Sequence, residues 1–305
     1  MLSLRKMGCV MLTEMAHGTN TQGMLTTATY DRAAGEFVLQ TPCVEATKWW
    51  SGNLGKHATH GVVGAQLIHD GDSKGLHWFV VPLRDMETHE TLDGVTVIDI
   101  GPKAGWNWLD HGGCAFESVR LPRTALLNRL QDVTADGEYV LHAASASQRF
   151  GLTLSALSVG RVAIACQAVH KARLALCIAT RYSAVRRQFA AAPGDEERSV
   201  LSYQLQHTQL LPFLAGNLMQ GFFGDWLYEH YIALMEDGAD GDDDYARRTA
   251  ELHAISSGAK ALATWEARDA IQTARECMGG HGYSSFSRIG DLRRTNDPGS
   301  DQGCG

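Results

Sequence analysis

The sequence lacks the marks of a membrane-anchored, secreted or nucleic-acid-binding protein. No stretch approaches the roughly 20 consecutive apolar residues that a membrane span needs. The first ten residues, MLSLRKMGCV, contain no apolar segment of a signal peptide, and the last residues form no Ser-Lys-Leu type address. The formal net charge of −7 argues against non-specific binding of nucleic acid. We therefore expect a globular protein that spans no membrane and has no nucleic-acid partner.

Cysteine is scarce and unpatterned. Seven cysteines are scattered over 305 residues, and no two of them form a CxxC pair. An odd number without close spacing indicates free thiols in a reducing compartment, mostly packed as small apolar groups. We expect no metal site from this arrangement.

The first part of the chain has the pattern of a β domain. Hydrophobic residues make up 44% of the sequence, enough for one or two buried cores. Short apolar runs at 36–39, 77–81 and 95–98 are separated by Gly, Asp and Pro turns, which favours a barrel or a sandwich. We assign this β domain to residues 1–135 and a linker to 136–147.

The remainder, 148–305, has a helical period. Val162, Val169 and Leu176 form one apolar stripe, and Arg161 lies on a second stripe, so we expect its charge to be buried beside a partner or a ligand. Further helices are predicted over 200–234 and 246–278. A four-helix bundle would need another helix after Pro298, so we expect the bundle to be incomplete, with apolar helical faces left uncovered.

Two segments of the β domain have the composition of a ligand-binding loop. Thr13 ends an apolar run and begins a loop of small and polar residues, which could present a hydroxyl and backbone N–H groups to a planar ligand. In KWWSGNLG, Trp49 could line a pocket while Gly52 lets the backbone approach a flat ring. A strand followed by an ordinary turn also explains the first segment, and core packing with a hairpin turn also explains the second.

Two segments of the helical domain could bind an anion. The run RYSAVRRQF places arginines near a helix end, where they complement the helix dipole or hold a pyrophosphate. The run Gly279-Gly280-His281-Gly282 follows a helical pattern and can expose backbone N–H groups to an anion.

Taken in order along the chain, these segments resemble the acyl-CoA oxidases, within the wider acyl-CoA dehydrogenase superfamily. The resemblance covers residues 8 to about 298, and the phrases LLNRLQDVTADGEYV and QRFG are most similar to the branched-chain (pristanoyl-type) peroxisomal oxidases. It is carried by MLTEMAHGTNTQGMLTTATYD, KWWSGNLGKHATH, GLHWFVVPLRD, DIGPK, RYSAVRRQF and ECMGGHGY.

The resemblance implies an α+β protein: an acyl-CoA oxidase-like β-barrel middle domain followed by an incomplete helical bundle, without the family's N-terminal helical domain. It also implies bound FAD, with acyl-CoA and O2 as substrates, and a homodimer or association with a full-length homologue in the peroxisome. The implied cofactor-binding residues are Thr13, Trp49, Gly52, Arg186, Gln188, Gly279 and Gly280. Arg161 and Thr19 are implied to bind the substrate.

The resemblance leaves the catalytic base unassigned. Family chemistry converts an acyl-CoA to the trans-2-enoyl-CoA with a glutamate base, while O2 is reduced to H2O2. By register, Gly303 occupies the position of that glutamate, and Asp301, in a glycine-rich tail, is a weak substitute. The alternatives to an active oxidase are therefore an inactive truncated homologue, a non-catalytic subunit, or an acyl-CoA dehydrogenase.

Overall fold

The computed structural model describes residues 5–143, 145, 156–237 and 243–301. The chain divides into two compact units. The first comprises 1–103 and 107–153, and the second comprises 104–106 and 154–305. The hairpin strand Tyr139–Leu141 lies inside the predicted linker, so the first unit extends beyond the boundary that the sequence placed at 135.

The first unit is built on a six-stranded sheet with the strand order β1-β5-β2-β3-β9, and β6 also pairs with β5. The three predicted apolar runs all lie in strands, namely β3, β6 and β7. In β3, Phe37 and Leu39 alternate with more exposed neighbours and are fully buried, which is the period of a strand with one face in the core. The strands of this sheet are β1 Gly8–Met11, β2 Thr27–Asp31, β3 Glu36–Gln40, β5 His60–His69, β6 Asp72–Pro82 and β9 Val119–Pro122.

A second sheet pairs β4 with β8 and β8 with β7. It packs into the same core, since Cys114 and Phe116 of β8 join the cluster that contains Phe37 and Phe79. The hairpin β10–β11 completes the unit. These strands are β4 Lys48–Ser51, β7 Val95–Asp99, β8 Gly112–Phe116, β10 Gln131–Val133 and β11 Tyr139–Leu141.

The second unit is helical. The three long helices that the sequence predicts are confirmed, and Val162, Val169 and Leu176 lie in the buried cluster between them. The first residues of the predicted helical period, 148–155, lie outside the described residues. The helices are α1 Ala156–Val185, α2 Gln204–Glu236, α3 Asp243–Glu276, the single turn α4 Gly280–Tyr283, and α5 Ile289–Asp301.

The structure adds a shorter helix that the sequence did not predict, α5, and this helix packs against α3 and α1. Ile289 at its start is fully buried, and the buried Asn296 donates a hydrogen bond from Nδ2 to the Thr264 carbonyl of α3 at 3.1 Å. Asp301 is therefore the last residue of a helix rather than part of an unsupported tail. The helical period was missed because Pro298, a residue that normally ends a helix, lies inside α5.

The expectation that no segment is apolar enough to span a membrane also needs correction. Within the described residues, Ser158–Val185 of α1 is long and apolar enough by length and composition. Its buried residues, among them Ala168 and Leu176, pack against α2 and α3, so α1 is the central helix of the bundle.

One side of α2 is apolar and exposed. No Asp, Glu, Lys or Arg occurs between 200 and 224. We call these residues the α2 face: Leu211, Leu218, Met219, Phe222, Phe223 and Trp226.

Candidate functional site

The backbone of Thr13 is hydrogen-bonded, whereas its hydroxyl has no hydrogen-bond partner among the described residues. Its carbonyl accepts a hydrogen bond from the Trp49 N–H at 2.9 Å, so two residues that the sequence analysis selected separately are adjacent in the fold. Beyond Thr13, the Met15 N–H donates to the Thr47 carbonyl at 3.0 Å. The Thr13 side chain is half-buried, and within the part of the chain that the structure describes its hydroxyl has no hydrogen-bond partner.

The two tryptophans of β4 do not alternate as they would in a flat strand. Trp50 has a left-handed backbone, φ 67°, and is 55% exposed, and the pairing register of β4 shifts at this point. Trp49 is half-buried and lies against Gly113, where a Cβ would clash with the indole ring. The irregularity turns Trp50 outwards and keeps Trp49 beside Thr13.

Gly52 begins a loop whose following segment, 54–58, is hydrogen-bonded to the buried Arg84. A Cβ on Gly52 would meet only Leu109 closely, at 3.1 Å. Arg84 donates to the carbonyls of Leu54 at 3.1 Å, Gly55 at 3.1 Å and Ala58 at 2.6 Å. The sequence analysis missed Arg84 because one arginine at the end of an apolar run looks like a solvated strand end.

A second missed feature is the ion pair between Glu14 and Lys48, whose side chains are both 0% exposed. Glu14 Oε1 lies 3.0 Å from Lys48 Nζ, and the carboxylate also accepts from the Leu25 N–H at 2.8 Å and the Thr26 N–H at 2.9 Å. Burial alone would raise the pKa of Glu14, but Lys48 and these donors lower it, so Glu14 is ionised. Burial lowers the pKa of Lys48 to about 8, and Glu14 opposes that shift.

In the helical unit, the end of α1 contacts the glycine loop. Tyr182 Oη lies 3.2 Å from Nδ1 of His281. Tyr182 lies one helical turn before Arg186. Arg186 is exposed, and Gln188 is fixed through its backbone: its N–H donates to the Arg198 carbonyl at 2.9 Å, and its carbonyl accepts from the Tyr203 hydroxyl at 2.6 Å. The structure thus brings two of the predicted anion-binding segments together.

The glycines of this loop serve different purposes. Gly279 has φ 55° and ψ −136°, a backbone that L side chains rarely adopt, and it lies three residues after α3 ends at Glu276, directly before α4. Gly280 is exposed, with open space where a Cβ would be. Gly282 is buried, and a Cβ there would overlap the Arg275 carbonyl oxygen. Gly279 and Gly280 are therefore free to meet a ligand, whereas Gly282 is required by packing.

Arg161 is not buried as the sequence predicted. It is half-buried, and its Nη1 lies 3.2 Å from Nδ1 of His253 on α3, which accepts in the neutral tautomer. Arg161 and Arg186 are 25 positions apart in the sequence, which corresponds to roughly 38 Å of helix, so the structure does not bring these two arginines together.

The remaining predicted site residues are not assembled into a site. Thr19 is exposed, and its carbonyl accepts from the Thr21 N–H at 2.9 Å within a turn. Only the backbone of Asp301 is described, as the end of α5, and Gly303 lies outside the described residues. No cluster of His, Cys, Asp or Glu that could hold a metal ion occurs among the described residues.

Two family models match the chain. The model for the acyl-CoA oxidase C-alpha1 domain matches residues 154–300, and the model for the acyl-CoA dehydrogenase middle domain matches residues 9–119. The chain is 46% identical over 294 residues to human peroxisomal acyl-coenzyme A oxidase 3, covering 95% of this chain and 42% of the relative. It is 41% identical to acyl-coenzyme A oxidase 2, peroxisomal, of Arabidopsis thaliana, and the match covers 95% of this chain and 42% of that relative.

Solved structures show the same likeness. An acyl-CoA oxidase from tomato matches with a TM-score of 0.90 and 39% identity, over 98% of this chain and 45% of that one. Acyl-CoA oxidase-2 of Caenorhabditis elegans, solved with FAD, ascaroside-CoA and ATP, matches with a TM-score of 0.89 and 40% identity, over 97% and 44%. The α+β fold expected from the sequence is confirmed, and the chain spans less than half the length of the relatives it matches.

Proposed function

Since the chain belongs to the acyl-CoA oxidase family, we propose that it provides the flavin-binding part of a FAD-dependent acyl-CoA oxidase. The reaction converts an acyl-CoA to the trans-2-enoyl-CoA and reduces O2 to H2O2, as the first step of fatty-acid β-oxidation. Because human and plant relatives are named peroxisomal, we propose the peroxisome as its location. The KWWSGNLG segment favours an oxidase over an acyl-CoA dehydrogenase, which passes its electrons to another protein.

The free hydroxyl of Thr13 is the observation that carries this proposal. A half-buried hydroxyl whose flanking backbone is fixed, with no described partner of its own, fits the polar edge of a flavin ring. The exposed guanidinium of Arg186 and the open backbone at Gly280 fit a pyrophosphate. The proposed FAD-binding residues are Thr13, Trp49, Gly52, Arg186, Gln188, Gly279 and Gly280.

The proposed chemistry needs a proton acceptor and a hydride acceptor. Bound FAD supplies the acceptor for the hydride that leaves the β-carbon of the substrate. The α-proton of a thioester is weakly acidic, so a positioned base must remove it. Arg161, next to His253, and Thr19 are proposed to bind the substrate, with the arginine near the CoA moiety.

The base itself is not assigned by any described residue. Gly303 stands at its position by register, which favours a non-catalytic homologue or subunit as the second candidate function. General-base catalysis contributes about 10²–10⁴-fold to rate, so that candidate predicts flavin binding with little or no turnover.

We expect the purified 305-residue chain to show a flavin absorbance band, and Thr13→Val to weaken its FAD affinity about three- to tenfold. This range lies within the contribution of one hydrogen bond, about 0.5–1.5 kcal/mol. Titration with FAD, followed by flavin fluorescence, measures the affinity. Thr96→Val, at an exposed position of β7, is the matched control and should leave it unchanged. Absence of the band in the wild-type chain would contradict FAD binding.

Anaerobic addition of palmitoyl-CoA or pristanoyl-CoA separates the two candidates. Bleaching of the band supports an active oxidase, and Asp301→Asn then tests the substitute base. A bound flavin that no acyl-CoA bleaches supports the non-catalytic reading. Turnover that is insensitive to oxygen supports the dehydrogenase instead.

We also propose that the α2 face is covered by a second copy of this chain or by a full-length homologue. We expect Phe222→Glu, which places a charge on a residue that is 69% exposed, to lower the molecular mass measured by light scattering. Asp269→Asn, at an exposed position of α3 whose carboxylate is bonded to the neighbouring Arg268, is the control and should not change the mass. An unchanged mass for Phe222→Glu would contradict association through this face.

A further inference from the structure

The buried lysine of the Glu14–Lys48 pair contacts the chain on both sides of Thr13. Lys48 Nζ donates to the Leu12 carbonyl at 2.9 Å and to Glu14 Oε1 at 3.0 Å. The next residue along β4, Trp49, donates its N–H to the Thr13 carbonyl. Residues 12, 13 and 14 are thus each anchored to β4, while the Thr13 hydroxyl has no hydrogen-bond partner among the described residues.

Glu14 extends this anchoring to the far end of the loop. Its carboxylate accepts from the backbone N–H groups of Leu25 and Thr26 and from the Thr26 hydroxyl at 2.7 Å. The segment between Glu14 and Leu25 is therefore closed at its base by one side chain. A single change at Glu14 or Lys48 would remove these side-chain contacts and leave backbone hydrogen bonds, such as that from the Met15 N–H to the Thr47 carbonyl, to hold the loop.

Stability alone does not explain this pair. Replacing a buried ion pair with apolar side chains of similar volume is often neutral or stabilising, because both charges must be desolvated. The pair also lies directly beside the half-buried Thr13, since Glu14 follows it in the chain and Lys48 Nζ donates to the Leu12 carbonyl before it. A requirement for a fixed backbone at Thr13 explains both why the buried pair is charged and why it lies next to Thr13.

We propose that Glu14 and Lys48 are positioning residues that fix the backbone on both sides of Thr13, so that its hydroxyl meets the flavin ring. This inference rests on the proposed function, in which Thr13 contacts FAD. Neither residue touches the flavin in this proposal. Both act through Thr13, and that distinguishes them from residues that only support the fold.

A double-mutant cycle tests whether Lys48 acts through Thr13. In the wild-type background, Lys48→Met should weaken FAD binding about tenfold, because methionine cannot donate to the Leu12 carbonyl. In a Thr13→Val background, the same change should weaken it by less than about threefold, since the hydroxyl it positions is gone. Equal losses in both backgrounds would overturn the proposal.

Two further variants separate positioning from folding. Glu14→Gln with Lys48→Met removes both charges and avoids a buried unpaired carboxylate, so it keeps the cycle measurable if Lys48→Met alone does not fold. Phe37→Leu destabilises the same unit through its core, away from Thr13. Its effect on FAD binding should be the same in the two backgrounds, and a dependence on Thr13 would count against the proposal.

Amide hydrogen exchange of the chain without FAD tests whether Lys48 fixes the backbone around Thr13, whether or not the chain binds FAD. Lys48→Met should speed exchange at Met15 and Thr26, while Thr29, in the β2–β3 ladder, should not change. If the wild-type chain binds no FAD, the proposed function fails. Faster exchange at Met15 and Thr26 then still supports the fixing of Thr13 by the pair, and unchanged exchange overturns it.

Discussion

Gly282→Ala is expected to destabilise the helical unit by about 3 kcal/mol or more. The new Cβ would overlap the carbonyl oxygen of Arg275 in the last turn of α3, and neither backbone segment can move without breaking that turn. Loss of the turn would also displace His281, which contacts Tyr182 at the end of α1. Urea unfolding followed by far-ultraviolet circular dichroism measures the loss.

Gly280→Ala is the matched control for this prediction. Gly280 lies two residues earlier in the same loop, and open space surrounds the position of its Cβ. Its unfolding midpoint should stay close to that of the wild-type chain, whereas its FAD affinity should fall if the loop meets the pyrophosphate. Equal stability of the two alanine variants would show that Gly282 is not required by packing.

Arg84→Met should cost about 3 kcal/mol of stability in the β unit. Arg84 is 6% exposed and donates to three backbone carbonyls of the segment 54–58, which would be left without these donors. Each buried acceptor that loses its donor costs about 1–3 kcal/mol, partly offset because the charge no longer has to be buried. We also expect weaker FAD binding, because this segment continues the loop that begins at Gly52.

Arg32→Met removes an arginine with a comparable number of hydrogen bonds at the surface of the same unit. Arg32 is bonded to Asp70 and Glu138, but its side chain is 41% exposed, so water replaces those bonds. Its unfolding midpoint, measured by denaturant titration with tryptophan fluorescence, should fall much less than that of Arg84→Met. Similar shifts for both would mean that the carbonyl contacts of Arg84 do not stabilise the segment.

The strands and long helices could be predicted because each depends on a local period. Phe37 and Leu39 alternate with exposed neighbours, and Val162, Val169 and Leu176 recur at the spacing of a helix face. The family resemblance was likewise carried by strings of neighbouring residues. The short helix α5 was missed because Pro298, usually a terminating residue, lies in its last turn.

The prediction of a buried Arg161 was wrong for a related reason. A stripe of period 3.6 gives the direction in which a side chain leaves its helix, but it does not give the depth of the groove that the side chain enters. The structure places His253 of α3 there, and the guanidinium remains half-exposed beside it. Sequence spacing could not supply His253, which is 92 residues away.

The sequence by itself determined the two-domain α+β architecture, the family, and the candidate segments at Thr13, Trp49 and the glycine loop. Only the tertiary structure decided what fixes them: the buried pair Glu14–Lys48, with partners 34 residues apart, and the contact of Tyr182 with His281, 99 residues apart. The local sequence determines the hydrophobic period and the backbone freedom of a segment, because both depend on residues that are close together in the chain. Which charges are buried together depends on how distant strands and helices pack, and that is set by the folded chain as a whole.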